Sequence, residues 1–137
     1  MRKSRGFSLI ELLVVLVILG ILTGISVPLY SKQMVKSRRS DAQQVMLGIA
    51  TKQSQYLFDA RGYTQTIGSG GLNYGASGWT CATNCTNQYY TISVSSMDNT
   101  ATPPSYKLTA TPDSASSQAS DGNLTLDSTG ADRKSVV

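Results

Sequence analysis

Hydrophobic and polar positions divide the chain into three regimes. Between Phe7 and Leu29 apolar residues run almost without interruption, and Glu11 is the one charged side chain among them. A helix of about 22 residues rising 1.5 Å each is long enough to cross a hydrocarbon core of about 30 Å. About fifteen Leu, Ile, Val and Phe residues each favour the bilayer by roughly 0.3 to 0.6 kcal/mol. A carboxylate costs about 2.5 to 3.5 kcal/mol near a helix centre and less near its end, so insertion is expected and Glu11 is expected to seek a partner.

From Tyr30 the pattern turns amphipathic. Lys32, Lys36, Arg38, Arg39 and Asp41 are followed by Ala42, Val45, Met46, Ile49, Ala50 and Leu57 at helical spacing, with Ser, Lys and Gln on the opposite face. The spacing predicts that the helix continues to about Phe58 and ends at Asp59-Ala60-Arg61-Gly62, with Gly62 as the stop. In the apolar half, Gly20-Ile21-Leu22-Thr23-Gly24 is a small-xxx-small pattern that lets another helix approach closely. Gly20, Gly24 and Pro28 also weaken the helix there, Pro28 by removing a backbone hydrogen bond.

The third regime has period two. Tyr90, Ile92 and Val94, then Tyr106, Leu108 and Ala110, then Leu124 and Leu126 each form one apolar face. They predict an antiparallel sheet covered on one side by the helix stripe. Residues 131–137, with Asp132, Arg133 and Lys134, suit a short charged edge strand. Residues 63–88, rich in Gly, Ser, Thr and Asn, read as a long connecting loop tied down at Cys81-Ala82-Thr83-Asn84-Cys85, with Trp79 packed beneath as a core aromatic. The fold class is α+β: a long N-terminal helix, transmembrane then amphipathic, packed on a small antiparallel sheet. Its segments are residues 1–6, 7–29, 30–60, 61–88 and 89–137.

Composition narrows the chemistry. The chain has 137 residues, two Cys and no His. Without His, a nucleophile motif or a metal-ligand set, neither an enzyme nor a cofactor or metal is expected. Met1-Arg2-Lys3-Ser4-Arg5 places positive charge before the apolar segment, which orients the N-terminus to the cytoplasm and everything after Pro28 outside. Cys81 and Cys85 then face an oxidising compartment, so a disulfide is favoured over half of a metal site.

The basic leader followed by Gly6-Phe7-Ser8-Leu9-Ile10-Glu11 resembles the processing site of type IV pilins and related pseudopilins. The resemblance implies cleavage between Gly6 and Phe7 by a membrane prepilin peptidase, methylation of the new Phe7 amine, and retention of the apolar helix. A secretory signal peptide would share the first residues, but no small-residue cleavage site follows. A plain membrane anchor explains the length but not Gly6 and Glu11 together. The resemblance further implies that the stretch holding Gly20, Gly24 and Pro28 unwinds on filament packing. It also implies that Glu11 neutralises the Phe7 amine of a neighbouring subunit. Loss of Arg2, Lys3 and Arg5 lowers the formal charge from +4 to +1, so the precursor overstates any attraction for nucleic acid.

Arg61-Gly62-Tyr63-Thr64, Tyr89-Tyr90-Thr91-Ile92, Tyr106-Lys107-Leu108-Thr109-Ala110 and Leu124-Thr125-Leu126-Asp127-Ser128-Thr129-Gly130 are similar to minor pilins of the type IVa systems. Many such subunits carry a Cys just before the Leu-Thr-Leu strand, whereas Asp121-Gly122-Asn123 has none, so a C-terminal disulfide loop is not expected here. The implied function is a filament subunit for adhesion, twitching motility or DNA uptake, held in the bacterial inner membrane before it enters an extracellular pilus. Its implied partners are other pilin subunits, the prepilin peptidase and an inner-membrane assembly platform. Two alternatives are a pseudopilin of a type II secretion system and a DNA-receptor pilin using Lys107, Arg133 and Lys134 with nearby Tyr side chains. The basic cluster over residues 32–39 reads first as a solvated face, with lipid headgroups or intersubunit pairs to Asp41 and Asp59 as functional alternatives.

Overall fold

The computed structural model describes residues 7–135, with all their side chains except those of residue 28 and residues 132–135. Gly6 and the leader before it lie outside the described residues, as do residues 136–137. Helix α1 spans Leu9–Ala60, and the chain divides into two units between Lys36 and Ser37.

In the first unit the carbonyl of Ser8 accepts hydrogen bonds from the N–H groups of Glu11 (3.1 Å) and Leu12 (3.3 Å), so the helix starts at Leu9 with Ser8 as its N-cap. The helix is continuous through Gly20, Gly24 and residue 28. Its large apolar side chains from Leu9 to Leu29 are all exposed. A helix apolar on every side has no polar face to offer water and calls for lipid or other helices around it. Its hydroxyls are satisfied internally: Thr23 donates to the Leu19 carbonyl (2.7 Å) and Ser26 to that of Leu22 (2.8 Å).

The second unit is built on a six-stranded sheet in which every neighbour is antiparallel and strand order follows sequence order. The strands are β1 (Thr80–Cys81), β2 (Cys85–Thr86), β3 (Tyr90–Asp98), β4 (Ser105–Pro112), β5 (Asn123–Asp127) and β6 (Asp132–Ser135). Register aligns Ile92 with Ala110 and Leu124, and Val94 with Leu108 and Leu126, so the apolar faces form continuous rows. Ala42, Val45, Met46 and Ile49 of α1 complete this core. Burial of each large side chain contributes about 1.5 to 3 kcal/mol.

Several expectations are corrected. The sheet begins at Thr80, inside the stretch read as a connecting loop, because two-residue strands are too short to show periodicity. β3 runs past Val94, the last apolar position of its predicted face, to Asp98 through a bulge between Val94 and Ser96. The extra residue shifts the alternation, so Met97 rather than Ser96 pairs with Tyr106 and packs on the core. At the end of α1 the left-handed residue is Arg61 (φ 55°), not Gly62; its N–H bonds to the Leu57 carbonyl at 2.9 Å. At Gly62 the space is tight: a Cβ there would lie 3.1 Å from the Asn99 side chain, which would have to shift by a few tenths of an ångström.

The helix stripe also differs from its apolar reading: Leu57 is only half-buried, and Gln53 is fully buried. The Gln53 amide donates to the Thr64 carbonyl (2.5 Å) and accepts from its N–H (3.1 Å). Asn99 does the same for Tyr63, accepting from its N–H (2.7 Å) and donating to its carbonyl (3.1 Å). Two side-chain amides thus stand in for neighbouring strands where the chain leaves the helix.

Core packing and surface exposure predict opposite outcomes on one helix. Ile49→Ala should lose about 2 to 5 kcal/mol. Phe58→Ala, at a side chain 85% exposed, should stay within about 0.5 kcal/mol of the parent. Urea unfolding of the full chain in detergent micelles, followed by Trp79 fluorescence, measures both; equal losses would contradict this account of the core.

Candidate functional site

The residues for which the resemblance implies a role in assembly fall in the first unit. Glu11 occupies the third helical position after Ser8, in the first turn of α1. There the helix dipole favours a carboxylate by about 0.3 to 1 kcal/mol. The Ser8-x-x-Glu11 spacing is a helix-start signature legible in the sequence but not used in reading it. Phe7 is exposed just before the helix. Gly20 and Gly24 lie four residues apart, and a Cβ at either would meet nothing within 4 Å, so the surface there is open to a close neighbour.

In the second unit Cys81 and Cys85 form a disulfide across directly paired positions of β1 and β2, with Cα atoms 4.0 Å apart. The bridge is not alone in tying the connecting loop. Ile67 and Gly68 donate backbone hydrogen bonds to Thr83 (3.3 Å) and Ala82 (2.6 Å). A Cβ at Gly68 would sit 2.4 Å from the Cys81 carbonyl oxygen, so glycine is required for that approach. Trp79 is half-buried, and its indole N–H donates to Asp41 Oδ2 (3.1 Å), hooking the loop to α1.

Register places the three basic residues considered for nucleic acid in different rows. Lys107 is exposed and pairs with Ser96 and Asp127; Arg133 pairs with Thr125, and Lys134 with Leu124. The side chains of Arg133 and Lys134 lie outside the described ones. The backbone therefore does not gather the three into one row.

Arg38 and Arg39, read from sequence as part of a solvated face, are both engaged. The Arg38 guanidinium lies 3.9 Å from the centroid of the Tyr89 ring and donates to Ser117 Oγ. Arg39 forms an ion pair with Asp121 at 3.2 Å. Asp121 also accepts from the Tyr90 hydroxyl (2.5 Å), and Gln118 Nε2 donates to that hydroxyl (2.9 Å) and to Asp121 (3.3 Å). Sequence reading missed this network because its members lie far apart along the chain and only the fold brings them together.

Burial, followed by the hydrogen bond to Asp121, pushes the Tyr90 phenol well above its ordinary range. For Asp121 burial pushes upward but is outweighed by the Tyr90 hydrogen bond, the Arg39 charge and Gln118, which together hold the carboxyl below its usual value. A carboxylate depressed on folding stabilises the fold above the ordinary carboxylate range. That contribution is lost as pH falls through its lowered pKa. Among the described residues no group of three or more His, Cys, Asp or Glu could hold a metal ion.

Comparison with known proteins finds matches along both the apolar segment and the folded unit. Residues 1–27 match the prokaryotic N-terminal methylation motif. The chain is 34% identical over 62 residues to the type IV major pilin protein PilA of Myxococcus xanthus (strain DK1622), covering 45% of this chain and 28% of that protein. It is 50% identical over 38 residues to the fimbrial protein EcpB of Eikenella corrodens, covering 28% of this chain and 24% of that protein. The matches thus span about a quarter of the length of these curated relatives. No solved structure matches the chain. Residues 28–125 match the family described as type IV minor pilin ComP, DNA uptake sequence receptor, and the chain belongs to that family of type IV minor pilins.

Proposed function

We propose that this chain is a structural subunit of a type IV pilus, assembled through the apolar half of α1. The observation that carries the reading is a helix exposed and apolar on every side from Leu9 to Leu29, with a single carboxylate in its first turn. The basic leader orients the precursor with its N-terminus cytoplasmic and its folded unit periplasmic. Prepilin peptidase cuts between Gly6 and Phe7, the Phe7 amine is methylated, and an inner-membrane assembly platform passes the subunit into the fibre. There the apolar helices of neighbours replace lipid. Glu11 pairs with the Phe7 amine of an adjacent subunit, Gly20 and Gly24 admit close helix contact, and the stretch to Pro28 unwinds. No step requires catalysis by this chain. Membership of a minor pilin family supports a pilus rather than a secretion pseudopilus.

Within that role the finer function is DNA reception for uptake, with Lys107, Arg133 and Lys134 as phosphate contacts. Residues 37–137 carry seven basic and seven acidic side chains, so affinity for a polyanion must come from local arrangement rather than net charge.

Replacing Glu11 by Val should leave membrane insertion intact and remove the subunit from sheared fibres, as read by immunoblot of membrane and fibre fractions. Normal amounts of the variant in fibres would sink the pairing. For the receptor role, the full chain in neutral detergent micelles should retard duplex DNA at low salt. Lys107→Gln should reduce the salt slope by about 1. No retardation at low or moderate salt removes the receptor reading and leaves the structural one standing.

A further inference from the structure

The segment 113–121, between β4 and β5, is exposed along most of its length and anchored inward at Gln118, which is fully buried. Its turns close on themselves: Ser116 N–H donates to Asp113, Ala119 to Ser116 and Asp121 to Gln118, at 3.1, 3.2 and 2.9 Å. A backbone hydrogen bond from Asp113 to Tyr89 (2.8 Å) ties its base to the residue before β3. The β4–β5 ladder, from Lys107 opposite Asp127 to Ala110 opposite Leu124, closes without it. No cysteine lies in the segment, and its side chains Ser117, Gln118 and Asp121 hold it against Arg38, Arg39 and Tyr90.

The surface beneath has the chemistry of a phosphate site. Two successive arginines present guanidinium forks, which bind phosphate as they bind carboxylate. One stacks on Tyr89, and the Tyr90 hydroxyl supplies a further donor. Lys52, Arg61 and Lys107 are by contrast single cations on α1, at its end and on β4. Asp121 puts a negative charge on Arg39 where a phosphate oxygen would sit, and Ser117 puts a hydroxyl oxygen on Arg38. A phosphate that displaced them would give the same donors new acceptors, so none would be left unpaired.

We propose that residues 113–121 form an autoinhibitory strap over an Arg38–Arg39–Tyr89 site for the phosphates of duplex DNA, with Asp121 and Ser117 occupying the arginines until the duplex lifts the strap. This rests on the receptor reading and adds to it a second contact surface and its control. The intramolecular carboxylate competes with DNA, so the closed strap weakens binding, and neutralising it releases Arg39 to the backbone of the duplex.

The test uses the full chain in neutral detergent micelles with a fluorescein-labelled duplex, anisotropy being followed across a salt series. Asp121→Asn should tighten binding at least about fivefold. It should also steepen the salt slope by about 1, the value for one further neutralised phosphate. Arg39→Gln added to Asp121→Asn should erase both gains, which a purely structural role for the pair would not produce. Ser117→Ala, at an exposed position, should tighten binding by a smaller factor and serves if Asp121→Asn does not fold. Hydrogen exchange in residues 113–121 of the parent should speed up, not slow, when duplex is added. If the parent binds and neither variant tightens it, the strap is wrong and the receptor reading stands; if no form binds duplex, both fall. A gain seen with anionic-lipid nanodiscs but not with duplex would also overturn the strap.

Discussion

The folded unit depends on one stripe of α1 lying against the sheet. Ala42, Val45, Met46 and Ile49 are spaced so that successive turns of helix deliver side chains to the core shared with Ile92, Leu108, Ala110 and Leu124, and Gln53 extends the buried stripe by one more turn. A sheet whose longest strands are nine and eight residues, with two-residue strands at one edge, has little stability without such a cover. Gln53 gives the stripe a second task. By taking both backbone groups of Thr64 it fixes the point where the chain leaves the helix, so packing and loop geometry are set by the same row of residues.

The apolar half of the helix obeys a different constraint. It has no buried face of its own, so its stability comes from lipid or from other helices. Glu11 fits either setting because it stands in the first turn, where its charge is least costly and the helix dipole favours it. A carboxylate deeper in the segment would cost more in lipid and gain less from the backbone. This placement explains why a single charge in an otherwise uniform stretch is tolerated.

Legibility in the sequence followed the strength of the periodic signal. The helix, the three main strands, the edge strand at Asp132 and the disulfide were readable because each rests on spacing or residue type over several positions. β1 and β2 were not, being two residues each. The end of β3 was hidden because the bulge at Ser95 changes the parity of apolar positions between Val94 and Met97. Gln53 was placed on the polar face because residue type outweighed its position in the stripe. The Arg39, Asp121, Tyr90 and Gln118 network joins residues up to 82 positions apart, and no local pattern marks such a set.

The central claim is that this chain is made as a precursor and works as a subunit inside a fibre. Intact-mass measurement of the chain recovered from sheared fibres tests it most directly. The account predicts a mass lacking Met1 through Gly6, with one added methyl group on the new Phe7 amine. Recovery of the full-length mass from fibres, or of the chain only from membranes while fibres are abundant, would contradict it.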